Sequence, residues 1–143
     1  MDGMVRYYAP ANFPKLWQNI DDLVSAGRLV MSEEVRVDLK EHEDDAYAWV
    51  RDREKAIVAT DAAVWAEARK VIAANPKLVA VGSTRNRSDP FVIAVAVMRG
   101  ATVVTGEVGG SATRPKIPFV CGQMKVPCVG LPDVISAEGW VFA

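Results

Sequence analysis

Segments with a helical pattern alternate along this chain with short, mostly apolar runs, and this alternation constrains the fold more than any other feature. The runs cover Arg28 to Met31, Ala101 to Thr105 and Val126 to Gly130, and each is too short for a helix. Strands that lack a polar face are buried on both sides, which a parallel sheet covered by helices achieves. The sequence therefore predicts an α/β fold with a short parallel sheet flanked by helices.

The helical segments can be placed from their apolar spacing and their end signals. From residue 12 to residue 26, apolar residues recur every three or four positions, and Gly27 ends the pattern. Ser32 is typical of an N-cap, so the region from Ser32 to Ala74 is expected to be mostly helical. Further helices are predicted around Ala46 to Val50, after Thr60 or Asp61, and over Pro90 to Arg99 and Ile117 to Met124.

Composition limits the class of protein. A chain of 143 residues that is 50% hydrophobic and 24% charged is expected to form one domain over residues 1–143. Its two cysteines cannot form a disulfide scaffold, which favours a cytoplasmic location. The longest apolar stretch, Pro90 to Met98, falls far short of the roughly 20 residues that cross a bilayer, so no membrane contact is expected. The net charge of −1 means that any nucleic acid must be held by a local patch.

Three acids are expected at the carboxyl edge of the predicted sheet, where α/β proteins bind ligands. Asp38 lies in the helix after the first strand, Asp89 lies at the start of the Pro90 helix, and Glu107 follows the Ala101 to Thr105 strand. Clustered carboxylates repel one another unless a cation lies among them, and hard cations such as Mg²⁺ or Mn²⁺ prefer oxygen ligands. A site of this kind can activate water against a phosphodiester.

Each acid also has an ordinary structural interpretation. Asp89-Pro90 is a common helix start in which the carboxylate caps free amides, and taken alone this pattern favours a cap over a ligand. Glu107 could equally be an exposed loop residue, and Asp38 could be one more charge on a solvated helix face. The case for a metal site therefore depends on the three acids together.

Longer strings around these acids resemble a known family. Ser32-x5-Asp38-Leu39, the segment from Ser88 to Ala96 and the segment from Ala101 to Glu107 resemble the middle and late motifs of PIN-type nucleases. Tyr7-Tyr8-x-Pro10, Phe13-Pro14-x-x-Trp17, Lys116-Ile117-Pro118 and Val126-Pro127-Cys128 look like the DUF4411 branch of this PIN-like family. The resemblance spans residues 6–132 and implies a three-layer PIN-like fold.

The resemblance assigns roles to individual residues. It implies that Asp38, Asp89 and Glu107 are the second, third and fourth acids of the metal site. It places the hydroxyl of Thr105 beside the metal, and it makes Glu34, one helical turn before Asp38, an alternative ligand or a residue behind the ligands.

The start of the chain departs from the family pattern. PIN-type chains open with an apolar strand that ends in Asp-x-Asn or Asp-x-Ser and supplies the first acid, whereas only Met1-Asp2-Gly3-Met4-Val5 precedes Arg6 here. The central N-terminal strand is therefore expected to be missing or replaced. Three explanations compete: a start that lies upstream, a degenerate family member, and a substitute strand over Met1 to Tyr7 that brings Asp2 towards the site.

Four cations flank the acids in sequence. Arg85 and Arg87 precede Asp89, and Arg114 and Lys116 follow the glycine-rich loop after Glu107. A cationic rim of this kind would bind the RNA substrate, since carboxylates alone repel phosphates. Ordinary surface charge is an equally good interpretation of these four residues.

Two functions compete at this point. The first is a metal-dependent endoribonuclease of the toxin type, in which Asp38, Asp89 and Glu107 hold Mg²⁺ or Mn²⁺. The alternative is a catalytically impaired PIN-like module that binds RNA or a protein partner, because the first aspartate is absent. The resemblance further implies a cognate antitoxin protein and a homodimer.

Overall fold

Short parallel strands between helices make up the fold of the computed structural model, which describes residues 2–42, 45–79 and 87–143. The helices are α1 (Asp2–Tyr7), α2 (Pro14–Ser25), α3 (Glu33–Lys40), α4 (Asp45–Arg51), α5 (Ala62–Ala74), α6 (Asp89–Arg99), α7 (Ile117–Met124) and α8 (Leu131–Ala137). The strands are β1 (Met31–Ser32), β2 (Ile57–Val58), β3 (Val103–Val104) and β4 (Cys128–Val129). Single turns of 3₁₀ helix cover Glu54–Ala56 and Pro76–Leu78. The predicted α/β class is confirmed.

The helix ends follow the local signals in the sequence. Ser32 is the N-cap of α3, where its hydroxyl accepts a hydrogen bond from the backbone N–H of Glu34. Asp61 caps α5 in the same way through the N–H of Val64 at 2.9 Å. Gly100 ends α6 with a φ of +59°, a left-handed conformation that glycine adopts without strain. These predicted caps and stops are confirmed.

The strands are shorter than predicted, because the helix before each one closes with a backbone bond that takes up the first residues of the apolar run. These bonds run from Leu29 N to Leu23 O, from Ala101 N to Ala96 O and from Val126 N to Cys121 O. Residues tied back to a helix end cannot extend into a ladder. Each strand is two residues long, and β1 shares only Met31 with its predicted run.

The four strands form two separate parallel pairs. β1 pairs with β2 in the register Met31 to Ile57, and β3 pairs with β4 in the register Val103 to Cys128. β2 lies in the region predicted to be mostly helical and was missed by the periodicity argument. The expectation that the third strand is buried on both faces is wrong for Val104, whose exposed fraction is 43% against 3% for Val103.

The beginning of the chain is helical. The substitute strand considered for Met1 to Tyr7 is therefore wrong, since Asp2–Tyr7 forms α1. α1 packs beside α4, and Val5 contacts the buried cluster that contains Leu39, Ala46 and Val50. The contact of the partly buried Val5 with this cluster helps to stabilise α1.

α6 is the central element of the fold. It contacts β1, β3, α3, α5 and α7, and its side chains enter two apolar clusters. Ile93 is fully buried on one side, and Phe91 packs edge-on against Trp65 of α5 on the other, with ring centroids 4.8 Å apart. The first residue of this helix, Asp89, is thereby carried into the interior. Among the residues described, no helix combines the length and the apolar character that crossing a membrane requires.

Candidate functional site

Asp89 is a buried acid that does not cap its helix. Ser88 is the N-cap of α6, and Asp89 is the first helical residue, with no side-chain capping bond at this helix start. The residue is 8% exposed, and Oδ2 has no hydrogen-bond partner within the described part of the chain. The capping interpretation of Asp89-Pro90 is therefore wrong. A buried carboxylate oxygen without a partner costs free energy, so its position calls for another explanation.

The other two predicted acids act on Asp89 through their charges. Burial, followed by the negative charges of Glu107 and then Asp38, raises the pKa of Asp89 from 3.8 to about 7. The fold therefore brings together three acids that lie 18 to 69 residues apart along the sequence. Near neutral pH, the Asp89 carboxyl group is divided between its protonated and its ionised form.

Asp38 is held beside the start of α6 by the backbone. Its Oδ2 accepts a hydrogen bond from the N–H of Ser88 at 3.0 Å, across 50 residues of sequence. Asp38 lies in α3 and is half-buried. Asp38 is therefore not a charge on a solvated helix face. The bond holds its carboxylate at Ser88, the residue before Asp89.

Glu107 is fixed from two sides. Its backbone N–H donates to Oγ1 of Thr105 at 3.1 Å, and its Oε2 accepts from the N–H of Ile117, the first residue of α7, at 3.0 Å. Thr105 in turn continues the β3 pairing through a bond from its N–H to the carbonyl of Val129. In this structure Thr105 therefore positions Glu107 and links it to the sheet.

Glu34 points to a different contact. Its Oε1 accepts a hydrogen bond from Oγ1 of Thr60 at 3.0 Å, and the neighbouring Glu33 accepts from the N–H of Thr60 at 2.9 Å. The groups that raise the pKa of Asp89 are Glu107 and Asp38, and Glu34 is not one of them. Glu34 thus connects α3 to the segment between β2 and α5.

The three acids match a hard divalent cation in the kind of atom they offer. All donors are carboxylate oxygens, and Asp89 Oδ2 is buried and unpartnered in the described structure, as a ligand atom without its metal would be. Across residues 2–42, 45–79 and 87–143, however, no three His, Cys, Asp or Glu side chains lie at the spacing that holds a metal ion. One carboxylate oxygen each of Asp38 and Glu107 is bonded to a backbone amide instead.

A family model described as a domain of unknown function, DUF4411, matches residues 1–142. The chain belongs to the DUF4411 family. No curated protein sequence and no solved structure matches it. The family description carries no activity.

The predicted cationic residues of this DUF4411 protein differ in their placement. Arg85 lies outside the described residues, and Arg87 is exposed two positions before Asp89. Arg114 and Lys116 line a pocket of about 370 Å³ together with Gly110 and Ser111, in the loop between β3 and α7. The loop packs against the start of α7, where Gly110 lies close to Lys116 and Phe119.

Sequence reasoning missed the backbone groups that organise the acids of this DUF4411 protein. The N–H groups of Ser88 and Ile117 orient Asp38 and Glu107, and backbone amides carry no residue-specific signal. Gly110 was also missed as a structural residue. Its φ of +105° and its close approach to Lys116 depend on the tertiary arrangement of the loop.

Proposed function

We propose that this DUF4411 protein is a metal-dependent endoribonuclease that cleaves RNA phosphodiesters at Asp38, Asp89 and Glu107. The observation that carries the proposal is Asp89: an acid buried at the start of the central helix, without a hydrogen bond to Oδ2 in the described structure, and with its pKa raised by two other acids. Such an arrangement is costly in a purely structural role and is common in sites that bind cations or move protons.

Each residue of the site would have its own role. Asp89, Asp38 and Glu107 would hold Mg²⁺ or Mn²⁺ through their carboxylate oxygens, and the bound cation would offset the repulsion among their negative charges. When bound, such a cation activates a water molecule and offsets the negative charge of the phosphodiester. Thr105 keeps Glu107 in position, and the cations of the β3–α7 loop favour the approach of the phosphate backbone.

The resemblance to PIN-type nucleases supports this choice among metal-dependent activities. The same resemblance supports a cytoplasmic toxin whose antitoxin blocks the acidic site, and a homodimer. These belong to the proposal, together with the three-layer PIN-like fold.

A second candidate is a catalytically impaired module that binds RNA or a protein partner. The observation that favours it is that Asp38 and Glu107 are already engaged by the N–H groups of Ser88 and Ile117. Carboxylates engaged in this way can hold the fold together without a metal. Under this candidate, calorimetry would detect only weak binding of Mn²⁺, and tight binding would count against it.

The test of the proposed nuclease is cleavage of a fluorescently labelled RNA by the purified protein in Mn²⁺. Asp89→Asn should reduce the cleavage rate by roughly 100-fold or more. Changes in residues that only support metal ligands cost about 10–100-fold, and loss of a ligand should cost at least the upper end of that range. EDTA should abolish cleavage. Asp22→Asn, the same change at an exposed position of α2, is the matched control and should cleave like the wild type.

Cleavage that survives both EDTA and Asp89→Asn would refute the proposal, because the activity would then come from a contaminant or from another site. Absence of cleavage together with weak binding of Mn²⁺ would favour the second candidate.

A further inference from the structure

The loop between β3 and α7 forms a small cationic pocket beside the acids. Gly110, Ser111, Arg114 and Lys116 line a volume of about 370 Å³, and all four are exposed, so a ligand can reach it from solvent. The volume falls near the lower end of the roughly 300–1,000 Å³ of ligand pockets. In a chain of net charge −1, this pocket concentrates two positive charges, and none of its lining residues in the described structure is acidic.

Both cations are available to a ligand. Within the described part of the protein, neither Arg114 nor Lys116 takes part in a salt bridge, although six other pairs do. The ammonium group of Lys116 makes a long contact of 3.4 Å to the carbonyl of Val108. The guanidinium fork of Arg and the ammonium group of Lys are both common phosphate ligands in proteins.

The pocket is held in shape before a ligand arrives. The N–H of Arg114 donates to Oγ of Ser111 at 3.2 Å, and the N–H of Ser111 donates to the carbonyl of Arg114 at 3.1 Å. Gly110 packs so closely that a Cβ on it would lie 2.9 Å from the backbone nitrogen of Lys116 and 2.9 Å from Cβ of Phe119. The hydroxyl of Ser111 is occupied by the turn, so the two cations are left to contact the ligand.

The pocket and the acids are joined through the start of α7. Lys116 is the residue before Ile117, whose N–H binds Oε2 of Glu107, and the Val108 carbonyl that Lys116 reaches belongs to the residue after Glu107. A polyanion bound at the pocket would therefore run past Glu107. A single small phosphate would not use this continuity, whereas a chain of phosphates would.

We infer that the pocket formed by Gly110, Ser111, Arg114 and Lys116 binds a backbone phosphate of single-stranded RNA, next to the phosphodiester at the acids. The inference rests on the proposed nuclease function for the identity of the polyanion. It assigns Arg114 and Lys116 to positioning the strand, independently of base sequence. The acids would act on the neighbouring phosphodiester.

The test is fluorescence anisotropy of a 5′-fluorescein-labelled oligouridylate with the full chain in EDTA, where no metal-dependent cleavage can occur. Arg114→Gln and Lys116→Gln should each weaken binding roughly tenfold, the size of one lost charge-assisted hydrogen bond. Each should also lower the slope of log affinity against log salt by about 0.7, the value for one phosphate contact on a single strand. Lys125→Gln, at the opposite end of α7, removes the same charge and should change neither quantity.

Three outcomes would overturn the inference: no RNA binding by the wild type in EDTA, unchanged affinity and slope in the Arg114→Gln, Lys116→Gln double variant, or an equal loss in Lys125→Gln. The proposed nuclease function fails separately. RNA that binds through the pocket but is never cleaved in Mn²⁺ would refute the nuclease and keep the pocket. Cleavage with pocket variants that bind like the wild type would do the reverse.

Discussion

Replacement of Asp89 by Asn removes an ionisable group whose burial opposes folding at neutral pH. Asn has the same shape but cannot ionise, so the variant separates the cost of the charge from the packing of the side chain. Asp89 is 8% exposed and lies at the start of the central helix, where solvent cannot screen its carboxylate. The stability of the wild type should therefore depend on pH in a way that the stability of Asp89→Asn does not.

The size of this pH dependence follows from the pKa of Asp89, which is about 7 in the folded protein against a reference value of 3.8. Between these two values the folded state binds more protons than the unfolded state, so the free energy of unfolding falls as pH rises. The whole difference corresponds to about 4 kcal/mol at 1.36 kcal/mol per pH unit. This loss of unfolding free energy is absent below the pKa of the unfolded state and complete above pH 7. About 2–3 kcal/mol of it falls between pH 5 and pH 8.

Urea denaturation followed by tryptophan fluorescence at pH 5, 6, 7 and 8 in EDTA measures this directly, since the chain has four tryptophans. The difference in unfolding free energy between Asp89→Asn and the wild type should move by about 2–3 kcal/mol in favour of the variant across this range. Any constant cost of burying the amide cancels in that change. Asp22→Asn should follow the wild type at every pH. Parallel curves for wild type and Asp89→Asn would refute the reasoning.

Three further predictions concern Asp38, Glu107 and Gly110. Asp38→Asn keeps an oxygen that can accept the Ser88 N–H bond but removes a charge, so the pKa of Asp89 should fall, and a carboxyl-carbon NMR titration that shows no fall would contradict the charge effect. Glu107→Ala should unfold about 1 kcal/mol more easily than Glu107→Gln in urea at pH 5, because only Gln can still accept from the first N–H of α7; equal stabilities would rule out this cap. Gly110→Ala should be destabilised by about 1–3 kcal/mol more than Gly109→Ala, since both have positive φ but only Gly110 would place a Cβ against its neighbours, and thermal denaturation of the two variants should differ accordingly.

Local signals were enough to place α5, α6 and α7, but they did not predict α1. α7 begins and ends at the predicted residues, Asp61 caps α5 and Gly100 stops α6, because each of these features depends on groups within one or two helical turns. The apolar runs likewise predicted buried strands near β1, β3 and β4. Their true length could not be read from composition, since the backbone bonds that close the preceding helices take up part of each run.

The acids, too, were predicted in part from the sequence and decided in part by the tertiary structure. Residue type and order along the predicted strands indicated Asp38, Asp89 and Glu107, and the family resemblance added Glu34 and Thr105. The sequence by itself thus determined the helical frame, the α/β class and the oxygen-rich character of the site.

Only the tertiary structure decided what each carboxylate does. Asp89 does not cap α6 because Ser88 occupies the N-cap position. Its pKa rises because the fold buries it beside Glu107 and Asp38. Glu34, one turn from Asp38, is drawn to Thr60 instead. Hydrogen bonds and charge interactions act over a few ångströms of space, whatever the separation in sequence, so the state of an ionisable group is settled only when distant segments meet.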